Sequence, residues 1–191
     1  MLRMMLFEEP PDASRPIGVM LTQLGHTIVG QLADASALEG EAQRLSPDVI
    51  VVVTDSPSSA QLDALAVITR NAPRPILLFA EDPDRASIVA AVRAGASAYV
   101  VGAPPRAALA PILDAALARF EQLQAVRAEA EAAKAQLQDR KLVERAKGIL
   151  MKSRKLSEDD AYRAMRKQAM DRKLKLTEVA RQIIAVADLL G

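Results

Sequence analysis

Residues 47–55, Pro47-Asp48-Val49-Ile50-Val51-Val52-Val53-Thr54-Asp55, decide the fold because five apolar residues follow one another between polar ends. A strand with one face in water alternates apolar and polar residues, whereas this run is apolar throughout. Unbroken apolar strands are typical of parallel sheets whose two faces are both covered by helices. A second run of the same kind, Ile76–Phe79, predicts another buried strand.

Short apolar runs alternate with helical patterns over residues 1–104. The strand candidates are Leu2–Phe7, Thr27–Gln31, Val49–Val53, Ile76–Phe79 and Ala98–Val101. The helix candidates are Ser14–Leu24, Ala35–Leu45, Ala60–Asn71 and Asp84–Ala94. A βα repeat of this kind folds as a parallel sheet with helices on both faces. We therefore predict an α/β domain of the flavodoxin-like class, whose ligand site would lie at the carboxyl ends of the strands.

Composition excludes several kinds of site. The chain of 191 residues has no Cys and one histidine, His26, which rules out a Cys-based or His-ligated metal site, a thiolate nucleophile and a histidine triad. Only 3% of residues are aromatic, which argues against a base-stacking sheet. We see no segment able to span a bilayer and no signal-peptide pattern. We therefore expect a cytoplasmic protein that is not an enzyme, makes no membrane contact and needs no metal or cofactor.

Residues 105–139 predict a long connector helix. One set of its residues recurs at alternating spacings of three and four: Leu123, Val126, Ala130, Ala133 and Leu137. This spacing is the seam of a coiled coil, and charged residues surround it. The seam is short and rich in Ala, so a solvated connector is the alternative interpretation. We favour pairing into a homodimer because an apolar seam needs a partner.

Charge is divided unevenly along the chain. Residues 140–191 contain 14 Lys or Arg against 7 Asp or Glu, a net charge of +7, whereas residues 1–139 carry a net charge of −6. Such asymmetry points to a polyanion as partner of the basic tail. The alternative is a solvated helical face without a partner.

The tail at 140–191 predicts a compact unit of three helices, the first being the end of the connector. Ser157 is placed to cap a helix whose first turn is acidic, and Ala161, Met165 and Ala169 then recur at every fourth residue. A last helix from about Thr177 has one apolar face, formed by Val179, Ala180, Ile183, Ala187 and Leu190.

Three segments stand out in the front half: Glu8-Glu9, Pro47-Asp48-Val49 leading into Asp55-Ser56-Pro57, and Gly95-Ala96-Ser97-Ala98-Tyr99. Together they resemble the receiver domain of two-component response regulators. The resemblance implies a phosphorylation pocket with acids for Mg²⁺, an Asp that accepts phosphate, a hydroxyl and a lysine.

The residues at those pocket positions do not suit phosphate transfer. Glu8 and Glu9 match the acids, but the acceptor position is Val53, the hydroxyl position is Ala80 and the lysine position is Gly102. Asp55 lies two residues beyond the acceptor position, roughly 6–7 Å along a strand, too far to replace it. We therefore predict a pseudo-receiver at 1–104, which docks another protein instead of accepting phosphate.

Four segments stand out in the tail: Val143–Met151, Ser157–Tyr162, Met165–Met170 and Leu176–Ala180. Together, over roughly residues 138–190, they closely resemble the ANTAR domain, the RNA-binding module of the AmiR/NasR antitermination regulators. We predict that the core of this domain contains Ala146, Gly148, Met151, Ala161, Tyr162, Met165 and Ala169. The predicted RNA-contacting residues are Lys147, Arg166, Lys167, Arg172, Lys173 and Lys175, since Lys and Arg bind phosphates and Arg also stacks on unpaired bases.

The arrangement of receiver-like domain, coiled coil and ANTAR domain resembles the nitrate- and nitrite-responsive antiterminators of the NasT type. The resemblance implies binding of paired stem-loops in a nascent leader RNA, which prevents the terminator hairpin from forming. It also implies control by a nitrate- or nitrite-binding sensor protein of the NasS type.

Two other functions stay open. Leu176–Ala180 could begin the recognition helix of a DNA-binding helix-turn-helix, as in many response regulators, although only Arg181 and Gln182 would then read the groove. The tail could instead bind protein, which would make the chain an adaptor.

Overall fold

The computed structural model describes residues 1–9 and 16–190, except for the side chain of Leu190. The chain divides into two compact units, Met1–Gln124 and Ala125–Gly191. The boundary lies within one continuous helix, α5 (Arg106–Arg154). This helix includes residues 106–139 of the connector predicted at 105–139. Within the described ranges, no helix is both long and apolar enough to cross a membrane.

The first unit contains a five-stranded parallel sheet in the order β2-β1-β3-β4-β5. The strands are β1 (Arg3–Glu9), β2 (Thr27–Leu32), β3 (Val49–Thr54), β4 (Ile76–Ala80) and β5 (Ala98–Val101). All five strand predictions are confirmed within two residues at each end, and so is the flavodoxin-like order. From β1 the chain adds β2 on one side of the sheet and β3, β4 and β5 on the other, so the strand order reverses between β1 and β3. Folds of this class bind ligands in the crevice at the carboxyl ends of the two strands where the order reverses.

Four helices and one short 3₁₀ turn, Ala35–Ala37, connect these strands. The helices are α1 (Ile17–Gln23), α2 (Leu38–Leu45), α3 (Ser59–Asn71) and α4 (Arg85–Ala94). Polar side chains fix two helix starts: Ser58 and Gln61 form a reciprocal capping box on α3, and Asp84 accepts from the backbone N–H groups of Ala86 and Ser87. The helix predicted at Ser14–Leu24 is confirmed from Ile17 onward, and its first two residues lie outside the described ranges.

The core of this unit has two layers, one on each face of the sheet. Every residue of β3 is buried, and successive side chains enter opposite layers as the strand pleat requires. Val52 packs with Phe7 and Leu78 on one face, while Val53 packs with Leu6 and Phe79 on the other. Burial on both faces of the sheet is therefore the physical cause of the unbroken apolar run in β3.

In the second unit, the end of α5 packs with α6 (Glu158–Arg172) and α7 (Leu176–Leu190). The Ser157 hydroxyl accepts from the backbone N–H of Asp160 at 3.1 Å, which confirms the predicted cap of α6. The buried residues of this small core are Ala146, Leu150, Ala161, Met165, Ala169, Val179, Ala180 and Ile184. The side chain of Leu190, predicted for the apolar face of α7, lies outside the described part of the chain.

Candidate nucleic-acid interface

Burial of one face of α6 turns its basic residues outward. Ala161, Met165 and Ala169 are buried at four-residue intervals, so the remaining positions of the helix face solvent. Three of the six predicted RNA contacts are among these exposed positions, Arg166, Lys167 and Arg172, and two more, Lys173 and Lys175, are exposed just after the helix. The acids Glu158, Asp159 and Asp160 occupy the first turn of α6, so the positive charge is concentrated toward the opposite end of the helix.

The sixth predicted contact, Lys147, is placed differently. Its side chain is only 10% exposed, and its Nζ lies 2.9 Å from Glu144 Oε1 and 2.7 Å from Glu158 Oε1. Hydrogen bonds to Glu144 and then to Glu158 raise the pKa of Lys147, and the bond from Lys147 lowers the pKa of Glu158. Lys147 thus ties α5 to the first turn of α6, and its ammonium is already committed to two carboxylates.

The predicted core of the C-terminal unit needs three corrections. Met151 is 39% exposed and Tyr162 is 41% exposed, so neither is a core residue. A Cβ added to Gly148 would meet no atom within 4 Å, so this glycine does not allow a close approach of helices within the bundle. Ala146, Ala161, Met165 and Ala169 are buried as predicted.

A groove of about 550 Å³ lies between the end of α5, α6 and α7. Its apolar lining includes Ile149, Met165, Ile183 and Val186, and its polar lining includes Arg154, Gln168, Arg172 and Gln182. Arg172 Nη1 donates to Gln182 Oε1 at 2.7 Å, which fixes this guanidinium against α7. Arg154 and Gln168 line the groove but are not among the predicted contacts, although they follow the core residues Leu150 and Met165 at helical spacings of four and three.

The predicted basic residues do not form a single cluster. At 100° per residue, Arg166 lies about 120° around α6 from Arg172, and Lys167 is also turned away from the groove side. Arg172 therefore belongs with Arg154 at the groove, whereas Arg166 and Lys167 belong with the exposed Arg163 on the outer face of α6. We name this second set, Arg163, Arg166 and Lys167, the outer basic face.

Two lysines at the turns between these helices have left-handed backbones. Lys155 follows α5 with φ 54°, and Lys173 ends α6 with φ 53°. This region favours glycine, because Cβ crowds the following carbonyl oxygen in any other residue. Both lysines are exposed, so each turn presents an ammonium to solvent from a strained backbone.

In the first unit, the carboxyl ends of the strands bring together the residues predicted for the receiver pocket. Glu8 lies opposite Val53 in the β1–β3 register, and Val53 and Ala80 are both 1% exposed. Gly102 has φ 74° and donates its N–H to the carbonyl of Ala80. Val53, Ala80 and Gly102 thus provide no carboxylate, hydroxyl or ammonium at these three positions.

The acids of this pocket have partners within the unit. Glu8 Oε2 accepts from Gln31 Nε2 at 3.3 Å, and Glu9 Oε2 accepts from Gln61 Nε2 at 2.8 Å. The Asp55 carbonyl accepts from the backbone N–H groups of Glu81 and Asp82. The described residues contain no cluster of three or more Asp, Glu, His or Cys that could hold a metal ion.

Asp82 links the loops on this edge of the sheet. Its carboxylate accepts from the hydroxyls of Ser56 at 2.8 Å and Ser87 at 2.7 Å, and its carbonyl accepts from the Tyr99 hydroxyl at 2.7 Å. Hydrogen bonds from Ser87, the Asp84 N–H and Ser56 lower the pKa of Asp82. Burial, followed by the charges of Asp82 and Asp84, raises the pKa of Tyr99. These bonds hold the β3–α3 loop, the β4–α4 loop and β5 together.

The predicted seam residues lie on the exposed middle of α5. Every residue from 125 to 141 is exposed, and Leu123, Val126 and Leu137 are 46%, 57% and 55% exposed. Ala130 and Ala133 are exposed as well. This face of α5 therefore has no covering within the chain as described.

Comparison with known proteins finds a known domain in the C-terminal part of the chain. Residues 131–184 match the family model for the ANTAR domain. The transcriptional regulatory protein PdtaR of Mycobacterium tuberculosis is 29% identical over 182 residues, which cover 95% of this chain and 89% of PdtaR. A nitrate regulatory protein of Klebsiella oxytoca is 37% identical over 65 residues, covering 34% of this chain and 16% of that protein.

Among solved structures, the signal receiver domain of a modulated diguanylate cyclase from Desulfovibrio desulfuricans superposes with a TM-score of 0.56. It is 17% identical and covers 64% of this chain and 98% of that domain, a likeness that concerns the fold alone. The chain thus combines a receiver-like N-terminal domain with an ANTAR domain and is homologous to the two regulators.

Proposed function

We propose that this protein is a transcription antitermination regulator that binds stem-loops in nascent leader RNA. The observation that carries the proposal is the match of residues 131–184 to the ANTAR domain, in a unit where at least five basic side chains face solvent. The protein would hold the leader in a form that prevents the terminator hairpin, so that RNA polymerase continues into the downstream genes. No bond is made or broken in this mechanism.

The chemistry of the two basic sets suits RNA in different ways. Ammonium and guanidinium groups of the outer basic face and of Lys173 and Lys175 would neutralise phosphates and release counterions. At the groove, Arg154 and Arg172 stand beside an apolar lining, and planar guanidinium groups contact both phosphates and unpaired bases. A shape-specific contact to a stem-loop needs positive groups on a rigid frame, and the small core of three helices supplies that frame.

We further propose that a partner protein controls this activity instead of aspartyl phosphorylation. Val53, Ala80 and Gly102 lack the three groups that phosphate transfer and its recognition require, which supports this view. The partner would be a sensor of the nitrate- or nitrite-binding NasS type, and nitrate assimilation the controlled process. The nitrate regulatory protein among the relatives supports that assignment.

Binding of paired stem-loops favours a homodimer as the active form. Two RNA-binding units linked through α5 would bind two stem-loops of one leader, and the second contact would then be intramolecular. Linked binding of this kind raises the overall affinity without any new contact.

The test of RNA binding compares three fluorescent ligands in anisotropy titrations at low salt: a leader RNA with two stem-loops, the same RNA with its loops replaced, and duplex DNA. We expect the paired stem-loop RNA to bind most tightly, and a deletion of residues 155–191 to abolish binding. Tighter binding to duplex DNA would favour the helix-turn-helix alternative. Absence of binding to every nucleic acid would favour the adaptor alternative.

The test of the control mechanism incubates the protein with radiolabelled acetyl phosphate and Mg²⁺. We expect no stable label, and no change in RNA affinity after the treatment. The matched control is the variant with Val53→Asp, Ala80→Thr and Gly102→Lys, which restores the three missing groups. Stoichiometric labelling of the wild-type protein would contradict control by protein contact alone.

A further inference from the structure

The groove between the end of α5, α6 and α7 has an aliphatic floor that binding of RNA does not require. The floor contains Ile149, Met165, Ile183 and Val186, and the Val186 side chain is 56% exposed. Unpaired bases stack on aromatic rings or on guanidinium planes. The one aromatic residue after residue 124 is Tyr162, which does not belong to the groove lining. An exposed aliphatic surface framed by polar groups is instead typical of a surface that binds protein.

The groove has the length and the shape that suit a helix. Ala164, Gln168 and Arg172 line it at every fourth residue of α6, which corresponds to about 12 Å along the helix axis at 1.5 Å per residue. On α7, lining residues four positions apart within the range 182–187 form a second wall. A docking helix places its apolar side chains at i, i+3 or i+4, and i+7 into a groove of this kind. About two turns of such a helix match the length of the walls.

The charges around the groove select an acidic occupant. Arg154 and Arg172 both belong to the lining and are exposed, and the described lining contains no Asp or Glu. Residues 140–191 carry a net charge of +7, so a basic helix would be repelled. Gln182 accepts from Nη1 of Arg172 at 2.7 Å, which uses one of the five N–H donors of the guanidinium. The remaining donors can still bind a carboxylate through two parallel hydrogen bonds.

We propose that this groove receives an acidic amphipathic helix of the protein that controls this regulator. Aliphatic side chains of the helix fill the floor, and its carboxylates bind Arg154 and Arg172. The proposed function assigns the same two guanidinium groups to RNA, so the helix and the RNA exclude one another. This inference rests on the proposed control by a partner protein, and it names the surface through which that control acts.

The occupant is tested with the intact protein and a displayed library of helical peptides randomised on every face. We expect the selected peptides to carry aliphatic residues at i, i+3 or i+4, and i+7, flanked by Asp or Glu. Ala164→Phe fills the groove from an exposed position and should weaken binding of a synthesised selected peptide about tenfold. Ala185→Phe, at an exposed position of α7 outside the lining, is the matched control and should leave the peptide dissociation constant unchanged.

The charge complementarity is tested by reversal on both partners. Arg172→Glu should weaken binding of the selected peptide about tenfold, because an attractive pair becomes repulsive. A peptide in which Lys replaces the facing acid should bind Arg172→Glu more tightly than it binds wild type. Arg166→Glu, on the outer basic face, is the control and should change the peptide dissociation constant by less than about twofold.

Mutual exclusion is tested by titrating the selected peptide into a complex of the protein with a labelled leader RNA that has two stem-loops. The apparent dissociation constant for RNA should rise in proportion to the peptide concentration once the peptide saturates its site, because the two ligands compete. The same peptide concentrations should leave the RNA dissociation constant of Ala164→Phe unchanged, since that variant does not hold the peptide.

The outcomes separate this inference from the proposed function. Selected peptides without acidic residues, equal effects of Ala164→Phe and Ala185→Phe, or a peptide that binds together with RNA would overturn the docking site. A library that yields no binding peptide, while Ala164→Phe weakens RNA binding, would assign the groove to RNA and would also overturn it. Failure of wild type to bind any leader RNA would overturn the proposed function, whereas the peptide selection and the charge reversal would still decide the docking site.

Discussion

At the scale of single residues, Lys155 and Lys173 hold a backbone conformation that costs free energy. A non-glycine residue in the left-handed region costs roughly 1–2 kcal/mol, and no part of the helix packing requires a lysine side chain there. Strained positions of this kind concentrate at functional sites. Of the two, Lys173 belongs to the predicted RNA-contacting set, so it is the lysine that we expect function to retain at the expense of stability.

We predict that Lys173→Gly makes the protein more stable by up to about 1 kcal/mol while weakening RNA binding. Glycine relieves the backbone strain, although its flexibility in the unfolded chain offsets part of the gain. Loss of one phosphate contact should also reduce the slope of log K against log salt concentration by about 1. Thermal unfolding and anisotropy titrations at several salt concentrations measure the two effects.

The control for this prediction is Lys155→Gly, which relieves the same strain at the other turn and removes a lysine outside the predicted contact set. Both variants should raise the unfolding temperature, and Lys173→Gly should lower RNA affinity more. Equal RNA affinities of Lys173→Gly and wild type would remove Lys173 from the interface.

Lys147 gives a prediction about pH. Glu158 has a lowered pKa, so its stabilising interaction is present above its ordinary value of 4.5 and is lost as pH falls through the lowered value. Lys147 has a raised pKa, so its share is present below 10.5 and is lost only at higher pH. We expect the unfolding temperatures of wild type and Lys147→Met to differ at pH 7 and to converge as the pH is lowered below 4.5. A difference that stays constant over this range would show that the ion pairs do not contribute.

At the scale of helices and strands, Gly148 lies inside α5 at a position where no steric constraint requires a glycine. A Cβ would meet no atom within 4 Å, and glycine in a helix interior costs roughly 0.5–1 kcal/mol relative to alanine. Gly40 in α2 has the same open surroundings and provides a matched control in the other unit. We predict that Gly148→Ala and Gly40→Ala each increase the free energy of unfolding by about this amount, measured by urea denaturation. A loss of stability in Gly148→Ala alone would reveal a packing role that the geometry does not contain.

The elements differ in how well their sequences predicted them. The strands were predicted because unbroken apolar runs such as Val49–Val53 have one physical cause, burial on both faces. Met151 and Tyr162 were misassigned to the core, since a small apolar helix pattern does not specify which of two adjacent residues turns inward. The commitment of Lys147 to Glu144 and Glu158 was not predictable, because Glu158 approaches it only through the packing of α6 against α5.

At the scale of the whole molecule, the proposed function needs two RNA-binding units in one assembly. A weak coiled coil would be sufficient if a leader with two stem-loops holds both copies, since the second contact then occurs at a high effective concentration. We predict that a leader with two stem-loops promotes dimerisation and that a leader with one does not, measured by sedimentation velocity at protein concentrations below the dimer dissociation constant. Equal dimer fractions with the two RNAs would contradict the coupling.

The most direct test of the account is the salt dependence of binding to a leader RNA with two stem-loops, compared between wild type and Arg166→Glu/Lys167→Glu. Arg93→Glu, an exposed charge reversal in α4, is the control. We predict a steep negative slope of log K against log salt concentration for wild type and the control, and a slope shallower by about 2 with much weaker binding for the double variant. Wild-type protein that does not bind at low salt, or a double variant with unchanged affinity and slope, would contradict the claim that this basic surface binds RNA.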